Sequence, residues 1–273
     1  MNAPAPGGRR RQLCGAAEVA AALCANEPVQ LVLHRAGPLS PEAEHACAEA
    51  TRRGIPCRSV SARQLARLAH TESLAGATSA HAGAPPTPAE AGGPGENGTE
   101  LLALVGPAPR ARLTTVLEGA DVVWLLAGTA YPGNAGFVMR TAEVSGADAV
   151  VIDADFDHEQ KRAVRRAAMR ADRYMPVFYE TAAHTLSRAR AAGLRCLAIE
   201  DSGDRAPWEI DLVAPALFVV GGERHGVPPD VLAACNAVVR LPMGGFVPSY
   251  NLQAAMAMVA GERLRQCARA APV

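Results

Sequence analysis

The chain has 273 residues, of which 49% are hydrophobic and 20% charged, and its 27 basic and 27 acidic side chains cancel. This composition is ordinary for a folded globular protein, and the zero net charge excludes nucleic-acid binding through bulk charge alone. No apolar run reaches the roughly 20 residues that span a bilayer. No apolar segment follows the basic N-terminus, so we expect residues 1–11 to be a disordered leader of a cytoplasmic protein rather than a secretory signal.

The seven cysteines form no C-x-x-C pair and are odd in number. They stand among apolar neighbours, which predicts reduced, buried thiols rather than a disulfide framework. Ligand pairs at the usual spacing are missing, so we expect no zinc or other metal site. The cysteines are Cys14, Cys24, Cys47, Cys57, Cys196, Cys235 and Cys267.

Residues 12–72 predict a small α/β domain. Its predicted helices are GAAEVAAALCA, SPEAEHACAEATRRG and SARQLARLA, and its predicted strands are VQLVLH and IPCRSV. The second helix begins with Ser-Pro-Glu, which is typical of a helix N-terminus. Residues 73–99 are rich in Ala, Gly and Pro without periodicity, and they predict a flexible linker.

Residues 100–270 predict a second, larger domain. Apolar strands are expected at 121–128, 147–153, 216–223 and 237–243, and also in MPVFYE and RCLAIED. Helices alternate with these strands, including a basic helix at 158–173 and a closing Ala/Met-rich helix. Continuous apolar strands that alternate with helices predict a parallel sheet covered on both faces.

Three of the predicted strands end in loops that could bind a ligand. In open parallel sheets ligands bind beyond the carboxyl ends of the strands, and these ends carry GTAYPGNAG, GGERHGVPP and PMGGFVPSYN. Neither G-x-x-x-x-G-K-[ST] nor an early G-x-G-x-x-G is present. A P-loop enzyme and a conventional dinucleotide site are therefore disfavoured.

Arg140 follows the first of these loops. If Asn134 is the N-cap of the helix, Arg140 lies in the second turn, near the positive end of the helix dipole. A cation is not stabilised near the positive end of a helix dipole, so an anionic partner would explain why an arginine stands at this position. The open alternative is an ion pair with Glu143 at i+3.

The basic helix predicted at 158–173 carries four arginines in one stripe: Arg162, Arg166, Arg170 and Arg173. Four like charges in a row destabilise a helix unless something negative binds them. An RNA phosphate backbone is such a partner. Pairing with acidic residues elsewhere in the fold is the alternative.

Three segments, in this order, resemble the motifs of the SpoU (TrmH-like) branch of the SPOUT RNA methyltransferases. NAGFVMRTA at 134–142 matches N-x-G-x-x-x-R-[ST]-A, and FVVGGERHG at 218–226 is an apolar strand running into G-x-E-x-x-G. LPMGGFVPSYNLQAAMA at 241–257 is an apolar-Pro strand end, a loop, then S-x-N and a small-residue helix. The resemblance covers about residues 120–270. The preceding domain looks, more faintly, like a ribosomal-protein-like RNA-binding domain.

The resemblance implies a SPOUT domain with a parallel sheet and a deep C-terminal trefoil knot, one of the exceptions to the rule that chains are unknotted. It implies a homodimer, with the site completed near the dimer interface. It also implies S-adenosylmethionine as the cofactor, bound between the second and third loops. The implied cofactor-binding residues are Val220, Gly221, Gly222, Gly226, Leu241, Met243, Ser249, Asn251 and Leu252.

The activity that the resemblance implies is methyl transfer to a ribose 2′-hydroxyl of RNA. Such a site must orient the two reactants and assist loss of the hydroxyl proton. Arg140 would hold the ribose-phosphate and support the developing negative charge, which we prefer to a general-base role because a guanidinium keeps its proton. Asn134 and Glu223 would fix the surrounding loops, and Ser249 and Asn251 would be active-site side chains.

The chain departs from the family pattern at several positions. Gln253 replaces a usual small polar residue, and RRAAMRADR lacks the serine and glycine of the usual R-A-S-x-G-A segment. The N-terminal domain favours ribosomal RNA over transfer RNA as the substrate, in either a housekeeping or an antibiotic-resistance role. A non-catalytic RNA-binding or assembly factor with the same fold is the alternative, although it would not need all five of the implied catalytic side chains.

Overall fold

The computed structural model describes residues 10–69 and 99–270, which form two compact units divided after Gly106. The predicted leader at 1–11 and linker at 73–99 fall almost entirely outside the described residues. Arg11, at the end of the predicted leader, already belongs to a strand.

The first unit is a four-stranded sheet with three helices. The predicted helices and strands of this unit are confirmed, and the Ser40 side chain caps its second helix by accepting the Ala43 N–H. The elements are β1 (Arg11–Cys14), α1 (Ala16–Cys24), β2 (Val29–Arg35), α2 (Pro41–Arg52), β3 (Cys57–Val60), α3 (Ala62–Ala69) and β4 (Leu101–Val105). The strand order is β1-β4-β2-β3, and only β2 and β3 are parallel to each other.

Strand β4 corrects the predicted domain boundary. The sequence predicts that residues 101–105 belong to the second domain, yet β4 pairs antiparallel with both β1 and β2 in the centre of the first sheet. Glu100 adds to this attachment by accepting hydrogen bonds from the Arg35 guanidinium at 2.9 Å and from the Ser40 N–H. The first unit therefore takes its central strand from beyond the Ala/Gly/Pro-rich segment.

The second unit is built on six strands that are all parallel to their neighbours. The strands are β5 (Val122–Ala127), β6 (Ala149–Asp153), β7 (Val177–Tyr179), β8 (Arg195–Ile199), β9 (Ala216–Gly221) and β10 (Ala237–Val239). The helices are α4 (Leu113–Leu117), α5 (Pro132–Val144), α6 (His158–Ala167), α7 (Ala182–Ala191), α8 (Pro229–Ala233) and α9 (Leu252–Ala270). The strand order is β10-β8-β9-β5-β6-β7.

Helices cover both faces of this sheet, as predicted. Alternate residues of β5 point to opposite sides: Trp124 packs with α5, α6 and α9, whereas Val123 packs with α4, α7 and α8. Trp124 stacks on Phe218 of the adjacent strand, with the ring centroids 4.9 Å apart. The strands are almost entirely apolar because most of their residues are buried on both faces of the sheet.

The basic helix is shorter than predicted. It ends at Ala167, and two residues with left-handed backbone conformation follow, Met169 at φ 49° and Arg170 at φ 65°. A 3₁₀ turn at Ala171–Arg173 comes next. The prediction of one helix over 158–173 is therefore wrong, and of the four arginines only Arg162 and Arg166 share its surface.

The cysteines are free, but they are not all buried as predicted. Cys196 is buried in the sheet, whereas Cys14 and Cys24 are exposed. Within the described ranges, no helix has the length and apolar character to cross a membrane. No cluster of three or more His, Cys, Asp or Glu side chains in that part of the chain is arranged to hold a metal ion.

Candidate active site

The three motif loops leave the sheet at the same edge. Strands β5 and β9 are adjacent, with Ala127 opposite Gly221, so the loops that follow them start side by side. Strand β8 lies beside β9, and β10 lies beside β8. Because these strands are all parallel, their carboxyl ends bring the first loop (128–131), the second loop (222–226) and the third loop (240–251) to one end of the unit.

Glu223 holds the first and second loops together. Its carboxylate accepts hydrogen bonds from Asn134 Nδ2 at 2.7 Å, Thr129 Oγ1 at 3.1 Å and the Ala130 N–H at 3.0 Å. Burial raises the pKa of the Glu223 carboxyl, but the hydrogen bonds that it accepts outweigh burial and leave the pKa below its usual value. Glu223 is therefore a charged bridge between the two loops.

Two further contacts fix the same pair of loops. Arg224 donates a hydrogen bond from Nη2 to the Tyr131 hydroxyl at 3.3 Å, and its guanidinium carbon lies 5.9 Å from the centroid of the Tyr131 ring. A Cβ at Gly222 would lie 2.1 Å from the Gly128 carbonyl oxygen. The loops approach so closely that only glycine fits at position 222.

Helix α5 begins earlier than predicted, so the residues of the first motif lie further along the helix. Its N-cap is Tyr131, not Asn134, and Pro132 takes the first helical position. Asn134 lies in the first turn with its amide bonded to Glu223, and Arg140 lies in the third turn. The argument from the helix dipole therefore does not hold, because the dipole acts mainly within the first turn.

The Arg140 side chain is exposed. Within the described residues it makes no hydrogen bond or ion pair, so the alternative pairing with Glu143 is not observed. Its charge is available to an anion from solution.

The third loop ends by capping α9. The Asn251 side-chain oxygen accepts the Gln253 N–H at 2.9 Å, which is the hydrogen bond of a helix N-cap. The Tyr250 hydroxyl donates to the Pro242 carbonyl oxygen at 3.0 Å and closes the loop on itself. Ser249 is exposed, and so is Phe246 at the loop tip.

The structure thus brings together some of the predicted site residues. Asn134 and Glu223 bond directly, but neither Arg140 nor Ser249 contacts another predicted site residue by a hydrogen bond or ion pair in the described part of the chain. Apolar side chains at the roots of the loops are buried: Val220, Leu241 and Leu252. Gly221 ends β9, Gly222 and Gly226 begin and end the second loop, and Met243 lies half-buried in the third.

Sequence reasoning missed three residues at this edge. Thr129 and Ala130 are two of the three residues that donate hydrogen bonds to the Glu223 carboxylate. Their place just after an apolar strand could have identified them. Glu200 follows β8 in the same way, and its carboxylate accepts the Val227 N–H at 2.7 Å. Its place as an acidic residue at the carboxyl end of a buried strand could have identified Glu200.

Two grooves of about 440 Å³ open on this unit, and neither encloses the three loops. The first runs along α9 and includes Leu241 and Pro242 at the root of the third loop. The second lies between α7 and α8, away from the predicted residues. The glycine-rich loops themselves are open to solvent, with Phe246 and Val247 fully or largely exposed.

Comparison with known proteins gives related sequences and folds. A protein of Pseudomonas aeruginosa named 23S rRNA (guanosine-2′-O-)-methyltransferase RlmB is 31% identical over 150 residues, which are 55% of this chain and 60% of that protein. The chain thus spans about three fifths of the length of this relative. The structure of an AdoMet-bound rRNA methyltransferase from Sinorhizobium meliloti is similar, with a TM-score of 0.54 and 19% identity over 94% of this chain and 88% of that one.

A second solved structure shares the fold. It is the SpoU methyltransferase AviRb from Streptomyces viridochromogenes, with a TM-score of 0.52 and 20% identity over 94% of this chain and 89% of that one. The profile of the SpoU rRNA Methylase family matches residues 121–261, which are more than half of the chain and include all three motif loops. The chain therefore belongs to the SpoU rRNA Methylase family.

Proposed function

We propose that this protein transfers a methyl group from S-adenosylmethionine to a ribose 2′-hydroxyl of structured ribosomal RNA in the cytoplasm. The observation that carries the proposal is the Glu223 carboxylate, which joins the first and second motif loops through Asn134, Thr129 and Ala130. A protein that only binds RNA has no need for a charged bridge between these two loops. The name of the P. aeruginosa relative supports ribosomal RNA as the substrate.

The second and third loops suit an adenosyl cofactor. Their roots are lined by buried apolar side chains, and the third loop exposes the glycine backbone of Gly244 and Gly245, which a ligand can approach closely. S-adenosylmethionine supplies an activated methyl group on a sulfonium. Val220, Leu241 and Leu252 would contact its apolar surface, and the backbone at Gly221, Gly222, Gly226 and Met243 would fix its orientation.

Arg140 is proposed to act on the RNA. Its guanidinium stays protonated at all physiological pH values, so it stabilises negative charge rather than removing a proton. Beside a ribose-phosphate it would orient the 2′-oxygen and favour the charge that develops as the hydroxyl proton leaves. The proton passes to a phosphate oxygen or to water.

The remaining catalytic residues are proposed to position these groups. Asn134 and Glu223 keep the first loop against the second, so the start of α5 cannot move away from the cofactor loops. Asn251 caps α9 and Ser249 precedes the cap, which places both at the point where the third loop meets α9. We also propose that the third segment threads into a trefoil knot and that two chains form a homodimer; the resemblance of the three motifs to those of the SPOUT RNA methyltransferases supports both.

RNA contacts are proposed on α6 and on the first unit. Arg162 and Arg166 are exposed on α6, and Arg170 and Arg173 lie in the turn that follows. Asp172 neutralises part of this charge, since it lies 3.4 Å from Arg165 and 4.0 Å from Arg170. A phosphate backbone would bind the positive charge that Asp172 does not neutralise.

The proposal is tested by incubating the protein with methyl-labelled S-adenosylmethionine and separate pools of unmodified ribosomal and transfer RNA. We expect label in ribosomal RNA, at one nucleotide that fragment mapping identifies. Label in transfer RNA alone would make the protein a transfer-RNA methyltransferase. No label in either pool, with RNA binding retained, would favour the non-catalytic reading.

A further inference from the structure

Glu200 stands between the two loops that the proposed function assigns to the cofactor. It follows β8 directly, and its carboxylate reaches the end of the second loop. Oε2 accepts the Val227 N–H at 2.7 Å, and Oε1 accepts the N–H of the adjacent Asp201 at 3.1 Å. Val227 is only 3% exposed, so water cannot replace the Glu200 carboxylate as the acceptor of the Val227 N–H.

The backbone of Glu200 reaches the root of the third loop as well. Its N–H donates to the Val239 carbonyl oxygen at 3.0 Å, at the last residue of β10. Next along the chain, the Arg240 N–H donates to the Arg205 carbonyl oxygen at 2.8 Å. The backbone of the segment that begins at Glu200 therefore binds the start of the third loop. The side chain of Glu200 binds the end of the second loop.

Gly226 fits against this carboxylate. Its φ is +62°, and a Cβ at this position would lie 2.3 Å from Glu200 Oε2. Gly226 also exchanges two backbone hydrogen bonds of 3.1 Å with Gly222, which closes the second loop into a narrow turn. The carboxylate occupies the space that a side chain at position 226 would need, and together these contacts allow one shape of the turn.

We propose that Glu200 is a positioning residue for cofactor binding: it locks the second loop in the conformation that holds S-adenosylmethionine. The inference rests on the proposed function. A carboxylate accepts a stronger hydrogen bond from a backbone N–H than a neutral oxygen does, so the Glu200 side chain reinforces the Gly222–Gly226 pairing that closes the loop. Glu200 acts through Val227 and Gly226 and has no part in the methyl transfer itself.

The test compares the wild-type protein with Glu200→Gln and with the control Asp204→Asn. Gln keeps the size of the side chain but offers a single acceptor oxygen, so one of the two N–H groups meets an amide NH₂. Asp204 is an exposed carboxylate four residues away. Calorimetric titration with S-adenosylmethionine should give a Kd about tenfold higher for Glu200→Gln and an unchanged Kd for Asp204→Asn.

Steady-state kinetics distinguish positioning from a general structural role. We expect the KM for S-adenosylmethionine to rise with the Kd, while kcat at saturating cofactor and the affinity for RNA stay within about twofold of wild type. A Kd equal to that of wild type overturns the inference. A fall in kcat with an unchanged KM also overturns it, because that result reports a smaller folded fraction.

A second pair of variants keeps the inference testable if Glu200→Gln folds poorly. Gly226→Ala should weaken cofactor binding less in a Glu200→Ala background than in the wild type, because the collision with the carboxylate is gone. Additive effects of the two substitutions would contradict the proposed contact. A wild-type chain that does not bind S-adenosylmethionine overturns the proposed function as well, whereas normal wild-type binding with an unaffected Glu200→Gln overturns this inference alone.

Discussion

Gln253 donates a hydrogen bond from Nε2 to the Thr141 hydroxyl at 3.1 Å. Thr141 follows Arg140 in the first motif, and Gln253 stands in the first turn of α9, two residues after the asparagine of the third motif's S-x-N. The contact joins α9 to α5 beside buried apolar side chains of both helices. A residue that departs from the family pattern thus links the first and third motifs.

A double-mutant cycle measures this link. Thr141→Val removes the hydroxyl with little change in shape, and Gln253→Ala removes the donor. We expect a coupling energy of about 0.5–1.5 kcal/mol in urea unfolding. Tryptophan fluorescence follows the relevant unit, since Trp124 and Trp208 are the chain's two tryptophans and both lie in it. Strictly additive effects would show that the two side chains do not interact in solution.

Glu223→Gln should destabilise the second unit in a pH-dependent way. The folded-state pKa of Glu223 lies below its usual value, so its ionised form adds stability above the unfolded pKa of about 4.3, and this stability is lost as the pH falls through the folded pKa. At pH 7 we expect a loss of about 1–3 kcal/mol, because Gln cannot satisfy the three donors. The difference from wild type should shrink below about pH 4, where the protonated carboxyl resembles the amide.

The matched control is Glu118→Gln, at an exposed carboxylate that accepts no hydrogen bond from the described residues. Its unfolding free energy should follow that of wild type across the same pH range. A Glu223→Gln deficit that stays constant from pH 7 to pH 3 would contradict the assignment of Glu223 as an ionised bridge.

Gly136→Ala tests the packing of α5 on α6. A Cβ at Gly136 would lie 2.5 Å from the Ala167 Cβ and 2.6 Å from the Val164 carbonyl oxygen, so the two helices would have to separate. We expect a loss of about 1–3 kcal/mol in urea unfolding. Gly133→Ala, in the same helix with open space around it, should instead gain about 0.5–1 kcal/mol. Equal effects of the two substitutions would refute the close contact.

Much of the second unit could be predicted because its signals are local. The strands are almost entirely apolar, and loops with glycine and polar residues follow them at the edge where ligands bind. Pro132 also marks the true start of α5, since proline favours the first helical position, although Asn134 is by residue type the stronger N-cap candidate.

The remaining differences come from contacts that the linear pattern does not contain. Strand β4 pairs with β1 and β2 across the long Ala/Gly/Pro-rich segment, so nothing next to it in sequence assigns it to the first unit. The break after Ala167 needs two non-glycine residues in the left-handed region, a conformation that local propensity disfavours. The sequence shows Glu200 as an acidic residue at a strand end, but its hydrogen bond to Val227, 27 residues further along the chain, is not visible in the linear pattern.

Arg166→Gln tests the proposed RNA surface on α6. The slope of log affinity against log salt concentration should become shallower by about 0.7–0.9, as expected for one lost phosphate contact. The control is Arg188→Gln, an exposed arginine of α7, which packs on the opposite face of the sheet. An unchanged slope for Arg166→Gln, or equal changes for both variants, would rule out a specific contact at α6.

The position of the transferred methyl group tests the account most directly. Ribosomal RNA labelled from S-adenosylmethionine is hydrolysed in alkali, which cleaves next to every free 2′-hydroxyl. We predict label in alkali-resistant dinucleotides for the wild type, and no label for Arg140→Ala although that variant still binds the cofactor. Label in mononucleotides would place the methyl group on a base, and full incorporation by Arg140→Ala would remove the proposed role of its guanidinium; either result would contradict the account.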